Sequence, residues 1–314
     1  MTAAGRAGWA AAGGAAFLYA MFVPTTGDAN REFSERLMDA VHVPFFAAVA
    51  AFLHHLNPAG LATRPRRAVA AGIAATAMAA ATELIQPFTG RGGSFIDFVN
   101  GVLGIALAVA VCGGWGRSSG GLRLLVLGGA AVTCALIALR PAWREFRGII
   151  WRERHFPLLG DFESADEFRI WRASEGDGDF PSGPIARSTA WSTRGTHSMA
   201  VGIRPGAWPG VRLLTGEQDW RGFAALALDV ENPGGTFTLA VRIDDAASRD
   251  HATRYNDALV ITPGLNHVRI PLAKTTIGAG TRPLDLARIR RLVLFVDHPT
   301  VPRQFRIDHV RLDH

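Results

Sequence analysis

Six polar side chains in the first third of the chain form three pairs at i, i+3 spacing: Asp39 with His42, Glu83 with Gln86, and Asp97 with Asn100. On a helix, residues three apart share a face. The segments carrying them are otherwise apolar, where an ionisable group is costly unless it faces a bundle interior or water. Carboxylates, an imidazole and two amides gathered in one pocket can move protons, hold a cation or bind a polar headgroup. Asp39, His42, Glu83 and Asp97 are therefore the candidates for acid–base or metal-assisted chemistry. Gln86, Asn100 and the intervening Arg91 are the candidates for ligand contact. Acids outnumber bases in this set, and its oxygens suit a hard ion such as Mg²⁺. One His and no Cys suit zinc less well. The competing reading is that these groups neutralise one another and only set helix register.

The elements that must position these residues are hydrophobic helices. A helix needs about 20 mainly apolar residues to cross a bilayer. Five stretches qualify or nearly do: 7–24, 38–56, 68–87, 96–115 and 122–140. The first follows Arg6 and reads as an uncleaved helix, because more spans follow and no small-x-small cleavage site succeeds it. Arg64, Arg66 and Arg67 occupy an acid-free loop, as do Arg117 and Arg123. Lys and Arg favour the cytoplasmic side. The N-terminus is thus expected inside, and five spans put everything after about residue 140 outside. All three polar pairs then lie near the outer interface. Residues 141–157, with Trp143, Phe146, Ile150 and Trp151 among arginines, read as an interfacial linker.

The ordered set Asp39-Ala-Val-His42, Glu83-Leu-Ile-Gln86, Arg91 and Asp97-Phe-Val-Asn100-Gly101 resembles the VanZ family. That family's pattern is Asp-x-x-His opening one helix and Glu-x-x-Gln ending the next. A short Arg-bearing loop and Asp-x-x-Asn-Gly follow. The resemblance covers roughly residues 10–115. The family is named for a glycopeptide (teicoplanin) resistance determinant. The resemblance implies a helical membrane fold in the bacterial inner membrane, with no assigned reaction.

From residue 158 the pattern changes to short alternating runs separated by Gly, Pro, Asn and Asp. They are 198–203, 224–230, 237–243, 267–272, 291–296 and 305–312, with a short helical turn over 284–289. This spacing argues for an antiparallel sandwich or jelly roll. The stretch resembles jelly-roll carbohydrate-binding modules and their galactose-binding-like relatives. The shared features are an opening Asp161-Phe-Glu163, the turn Pro263-Gly-Leu-Asn266, and a closing Ile307-Asp308-x-Val-x-Leu. The resemblance implies a structural Ca²⁺ near Glu163 and Asp308, and a sugar-binding face. Trp191, Arg242, Asp244, Arg254 and Tyr255 are residue types that could form that face, with a solvated sheet surface as the alternative.

Composition narrows the classes. The two cysteines, Cys112 and Cys134, lie within hydrophobic segments and give no disulfide framework. The sequence pI of about 10.4 reflects scattered arginines and not a basic stripe, so no nucleic-acid partner is expected. The stretch from residue 158 carries no nucleophile elbow, phosphate loop or paired-carboxylate signature. The expectation is a multi-domain chain. An all-α transmembrane bundle of five spans (1–140) and the linker (141–157) lead to an all-β antiparallel jelly-roll sandwich (158–314). The bilayer and a glycan, lipid-linked glycan or glycopeptide are its expected partners, in a non-catalytic role. The alternative is a membrane enzyme using the Asp/His/Glu/Asp cluster on a lipid-linked substrate.

Overall fold

A computed structural model describes residues 31–89, 94–114, 120–174, 183–277 and 282–314. The stretch 7–24, expected to be the first span, and Arg91 lie outside the described residues. The chain divides into two compact units, with the boundary between Trp143 and Arg144.

The helical unit contains α1 (Arg31–Leu56), α2 (Arg64–Ile85), α3 (Phe95–Gly113) and the first part of α4 (Gly120–His155). All four helices are long and apolar enough to cross a membrane. α2 starts after Thr63 with Pro65 in its first turn, where a missing N–H costs nothing. It tightens into a 3-10 turn, Gln86–Thr89. Ser94 caps α3 by accepting a hydrogen bond from the Asp97 backbone N–H, and Gly114 ends the helix in the left-handed region. α4 runs 36 residues with Pro141 inside it, so most of the segment expected as an interfacial linker continues the helix.

The core of this unit is built from small side chains. Phe46 and Ala50 of α1 meet Ala75 and Ala79 of α2 and Ile105 and Ala108 of α3. Two glycines allow the close approach of α1 and α3. A Cβ at Gly104 would stand 2.0 Å from the Val43 carbonyl oxygen, and one at Gly101 would stand 2.9 Å from the Phe46 ring. Small residues at such crossings let helix backbones come together where side-chain burial offers little drive.

The second unit is a sandwich of two antiparallel sheets. Its strands are β1 (Leu158–Gly160), β2 (Trp171–Ser174), β3 (Ile185–Ser188), β4 (Ser198–Ile203), β5 (Gly210–Gln218) and β6 (Ala225–Asn232). They continue with β7 (Phe237–Asp245), β8 (Tyr255–Ile261), β9 (Gly264–Pro271), β10 (Ile289–Phe295) and β11 (Arg303–Asp313). One sheet has the order β3-β4-β11-β6-β9, with β1 also paired to β11. The other has the order β2-β5-β10-β7-β8. Every run expected as a strand is one, within a few residues at its ends, and the expected turn at 284–289 contains a 3-10 helix, Leu286–Arg288. Strands β1, β2, β3, β5 and β8 were not expected; β1, β2 and β3 have only three or four residues each, too few to show a period.

Inward-facing residues of both sheets make one core, including Met199, Leu228, Phe305 and Ile307 from the first and Leu213, Val241, Ile243 and Leu292 from the second. Trp171 and Trp220 are fully buried in it. Each indole keeps a partner, the Leu159 carbonyl oxygen at 3.1 Å and Gln218 Oε1 at 3.3 Å. This pairing lets a large aromatic contribute its burial without stranding its N–H.

Candidate functional site

The helical unit gathers three of the four expected catalytic residues. One ligand-type atom from each of His42, Glu83 and Asp97 lies within 4.8 Å of the others. Three helices supply them: α1, the last turn of α2 and the first turn of α3. His42, Gln86, Asp97 and Asn100 are all buried. The approach at Gly101 and Gly104 sets this up, because it lays the opening turn of α3 against α1. Asn100 Nδ2 ties the same two helices by donating to the Asp39 carbonyl oxygen at 3.0 Å.

Asp39 is not in the group. Its carboxylate instead pairs with Arg36 at 3.2 Å, and only its main chain serves the pocket. Residues three apart differ by about 60° around a helix. Packing turned His42 inward and left Asp39 at the flank.

The hydrogen bonds fix the chemistry of the remaining groups. His42 Nδ1 lies 3.2 Å from the Met38 carbonyl oxygen, which can only accept, so Nδ1 carries the proton. The lone pair is then on Nε2, which is buried with no hydrogen-bond partner. Glu83 Oε2 accepts from the Ser94 backbone N–H at 2.7 Å, and its Oε1 is likewise buried without a partner.

The sandwich carries a second candidate, a groove of about 560 Å³ on the outer face of the sheet β2-β5-β10-β7-β8. Its floor is formed by Thr238, Ala240 and Arg242 of β7, Asn256 and Ala258 of β8, Val293 and Phe295 of β10, and Ser174 of β2. Trp208, His251, Arg254, Asp257 and Asp297 complete the lining. Arg242 is held by two bonds to Asp244, Nε to Oδ1 at 2.7 Å and Nη2 to Oδ2 at 2.6 Å. Asp244 therefore does not line the groove but fixes the guanidinium that does.

Of the expected sugar-face residues, Arg242 and Arg254 are in the groove, while Asp244, Tyr255 and Trp191 are not. Arg254 closes the 3-10 turn His251–Thr253, and Tyr255 opens β8 and turns inward. Its ring joins the core, and its hydroxyl donates to Asp257 Oδ2 at 2.9 Å. Burial, then the bond to Asp257, pushes the phenol above its ordinary range. Trp191 belongs to the loop leading into β4, on the other sheet, where its carbonyl oxygen accepts from Ser198 Oγ at 2.5 Å. The groove's aromatic faces are instead Trp208 and Phe295. Trp208 sits on a loop at φ 53° with its ring 5.2 Å from that of His298. No periodicity flags a loop residue. Phe295 lies in the unbroken apolar run Leu292-Val-Leu-Phe-Val296, in which alternation cannot be read.

Glu163 and Asp308 do not fit a Ca²⁺ site. Glu163 Oε1 accepts from the Thr196 and His197 N–H groups at 2.7 and 2.6 Å, and Oε2 meets the Thr196 hydroxyl and His197 Nδ1. Asp308 Oδ2 accepts from the Thr193 and Arg194 N–H groups at 2.6 and 2.9 Å, and Oδ1 accepts from the His309 N–H at 2.7 Å. Every carboxylate oxygen faces a donor, the opposite of what a cation requires. The two residues clamp the loop over 193–197. Burial alone would push Glu163 up, but the His197 and Thr196 bonds outweigh it and hold the group at about 2.

No family model matches the chain, and no curated protein matches it. Solved structures similar to it over about half its length are carbohydrate-binding modules of β-sandwich fold and enzymes. A family 11 carbohydrate-binding module from Clostridium thermocellum, in complex with a β-1,3-1,4-mixed-linked tetrasaccharide, is 15% identical over 50% of this chain and 94% of its own, with a TM-score of 0.39. A family 30 module of a cellulosomal cellulase from the same organism is 16% identical over 46% of this chain and 90% of its own, TM-score 0.36. An exo-β-agarase is 15% identical over 50% of this chain, TM-score 0.40, and the match spans only 24% of the agarase.

Proposed function

We propose that this protein is a membrane-held glycan receptor whose β-sandwich binds an oligosaccharide in the groove lined by Trp208 and Phe295. The observation that carries the reading is the lining of that groove. Sugar recognition calls for apolar ring faces to cover C–H surfaces and for fixed polar groups to meet hydroxyls. Trp208 and Phe295 supply the first; Arg242, Arg254, Asn256 and Asp257 supply the second. Arg242 is already immobilised by Asp244, so binding sacrifices little of its side-chain freedom.

The helical unit serves in this reading as the anchor. Four apolar helices support insertion in a membrane; with the apolar stretch 7–24 as a fifth span, the distribution of arginines supports an N-terminus in the cytoplasm and the sandwich outside. The ordered motif from Asp39 to Gly101 supports a VanZ-like helical unit in the bacterial inner membrane. A lipid-linked glycan or a glycopeptide at the outer face is then the natural ligand class.

The test is calorimetric titration of the full-length chain in detergent against a panel of neutral gluco- and galacto-oligosaccharides and soluble lipid-linked glycan analogues. Binding of at least one class is expected, weakened about tenfold or more by Trp208→Ala and by Phe295→Ala. Failure of every sugar, or equal affinity in both variants, removes the groove as the site. A reporter fused after His314 that is active only in the cytoplasm would reverse the orientation.

A further inference from the structure

We propose that His42, Glu83 and Asp97 bind one first-row divalent transition-metal ion, of the Mn²⁺ or Zn²⁺ kind, inside the helical unit. The inference rests on that unit alone and requires no glycan binding. Two side chains point to an ion independently of any count of acids. His42 is 2% exposed, its Nδ1–H is committed to the Met38 carbonyl oxygen, and the Nε2 lone pair meets no donor. A ring nitrogen with its proton fixed by a backbone carbonyl and its lone pair left bare is the usual state of a metal-ligating histidine. Glu83 repeats the pattern in oxygen: Ser94 N–H holds Oε2, and Oε1 is bare.

The spacing supports a shared ion over direct pairing. The three ligand atoms lie within 4.8 Å of one another, yet His42 Nε2 and Glu83 Oε1 have no hydrogen-bond partner. An ion with bonds of about 2.1 Å draws tetrahedral ligand atoms to within about 3.4 Å of each other, a contraction that side-chain rotation can supply. The donor set selects the ion class. A buried imidazole beside two carboxylates suits borderline transition metals. Mg²⁺ prefers oxygen and water in an octahedron. With Asp39 paired to Arg36, the acid-rich set that would have favoured Mg²⁺ loses one member. One imidazole and two carboxylates also leave coordination positions for water or for an anionic substrate group.

The full-length chain, purified in detergent and stripped with EDTA, is to be titrated with Mn²⁺ and followed by electron paramagnetic resonance. One tight site per chain is expected, not displaced by a tenfold excess of Mg²⁺, with electron-spin-echo modulation from a single imidazole nitrogen. Glu83→Gln and His42→Gln should each weaken binding about 100-fold or more, and Asp39→Asn should leave it unchanged. Circular dichroism of each stripped variant checks that it is folded. If a variant fails to fold, the wild-type nitrogen modulation decides. Absence of that modulation, absence of a stoichiometric site, or full binding by folded Glu83→Gln overturns the proposal. None of these outcomes bears on the groove, so the two readings fail separately.

Discussion

The two units bury opposite things. In the sandwich the interior is large and apolar, with Trp171, Trp220, Phe162 and Phe305 all fully enclosed. In the helical unit the interior is mostly Ala and Gly around Phe46 and Ile105, with a knot of polar groups, while Ile73, Leu84, Leu125 and Leu136 are each more than half exposed. One chain thus follows two rules. Where water is the solvent, stability comes from removing aromatic and aliphatic area. In a bilayer, the setting proposed above for the helical unit, outward Leu and Ile cost nothing, and helices associate through close backbone approach and buried polar contacts. A polar cluster inside such a unit is correspondingly expensive, which makes a bound ion a natural way to satisfy it.

Substitutions can break or sharpen this contrast. The largest effect is expected from Trp220→Ala, which opens a cavity in the sandwich core. A loss of about 3–5 kcal/mol is expected in denaturant unfolding followed by fluorescence. A loss under about 1 kcal/mol would deny that aromatic burial dominates this unit. The matching change in the helical unit adds atoms instead of removing them. Gly104→Ala places a Cβ against the Val43 carbonyl and should cost about 1–3 kcal/mol in detergent thermal unfolding. It should also weaken Mn²⁺ binding, since it separates His42 from Asp97. If Gly104→Ala is neutral, the close helix crossing is not what positions the cluster.

A pH comparison probes the sandwich without creating a cavity. Glu167 is fully buried, and its Oε1 accepts from the Asp161 and Phe162 N–H groups at 2.5 and 2.7 Å. Burial raises its pKa from 4.5 to about 8, against the pull of the Phe162 N–H. The folded chain therefore holds this proton more tightly than the unfolded chain. That stabilising contribution is complete below about pH 4.5 and is lost progressively as pH rises toward 8. Glu167→Gln keeps an oxygen for both N–H groups and has no proton to lose. The stability of the variant relative to wild type should climb between pH 5 and 8; a flat difference would mean that the carboxyl ionises normally. The smallest effect is expected for Asp39→Asn, within about 0.5 kcal/mol, because it removes only a partly exposed pair with Arg36. A larger loss would return Asp39 to the cluster.

Much of the site was legible because its spacing is local. The i, i+3 pairs announced His42, Glu83 and Asp97 as partners, and the glycines after Asn100 announced a close crossing. Rotation about the helix axis was not legible, so Asp39 was placed with His42 when packing separates them. In the sandwich the alternation of Arg242 and Asp244 was readable, and their common face is observed. Arg254 and Tyr255 were expected on one face, but Arg254 closes a 3-10 turn and Tyr255, which opens β8, turns inward. Trp208 was unreadable because a loop has no period.

By itself the amino-acid sequence determined the two kinds of polymer, the helical register of the polar pairs and the six strands β4, β6, β7, β9, β10 and β11. All of these follow from periods of two or 3.6 residues along the chain. The tertiary structure alone decided which carboxylate left the pocket, which nitrogen of His42 is bare, and which aromatics line the groove. Those outcomes depend on atoms brought together from distant segments, as Gly104 meets Val43 and Trp208 meets the outer face of β7 and β10. No local period encodes contacts of that kind.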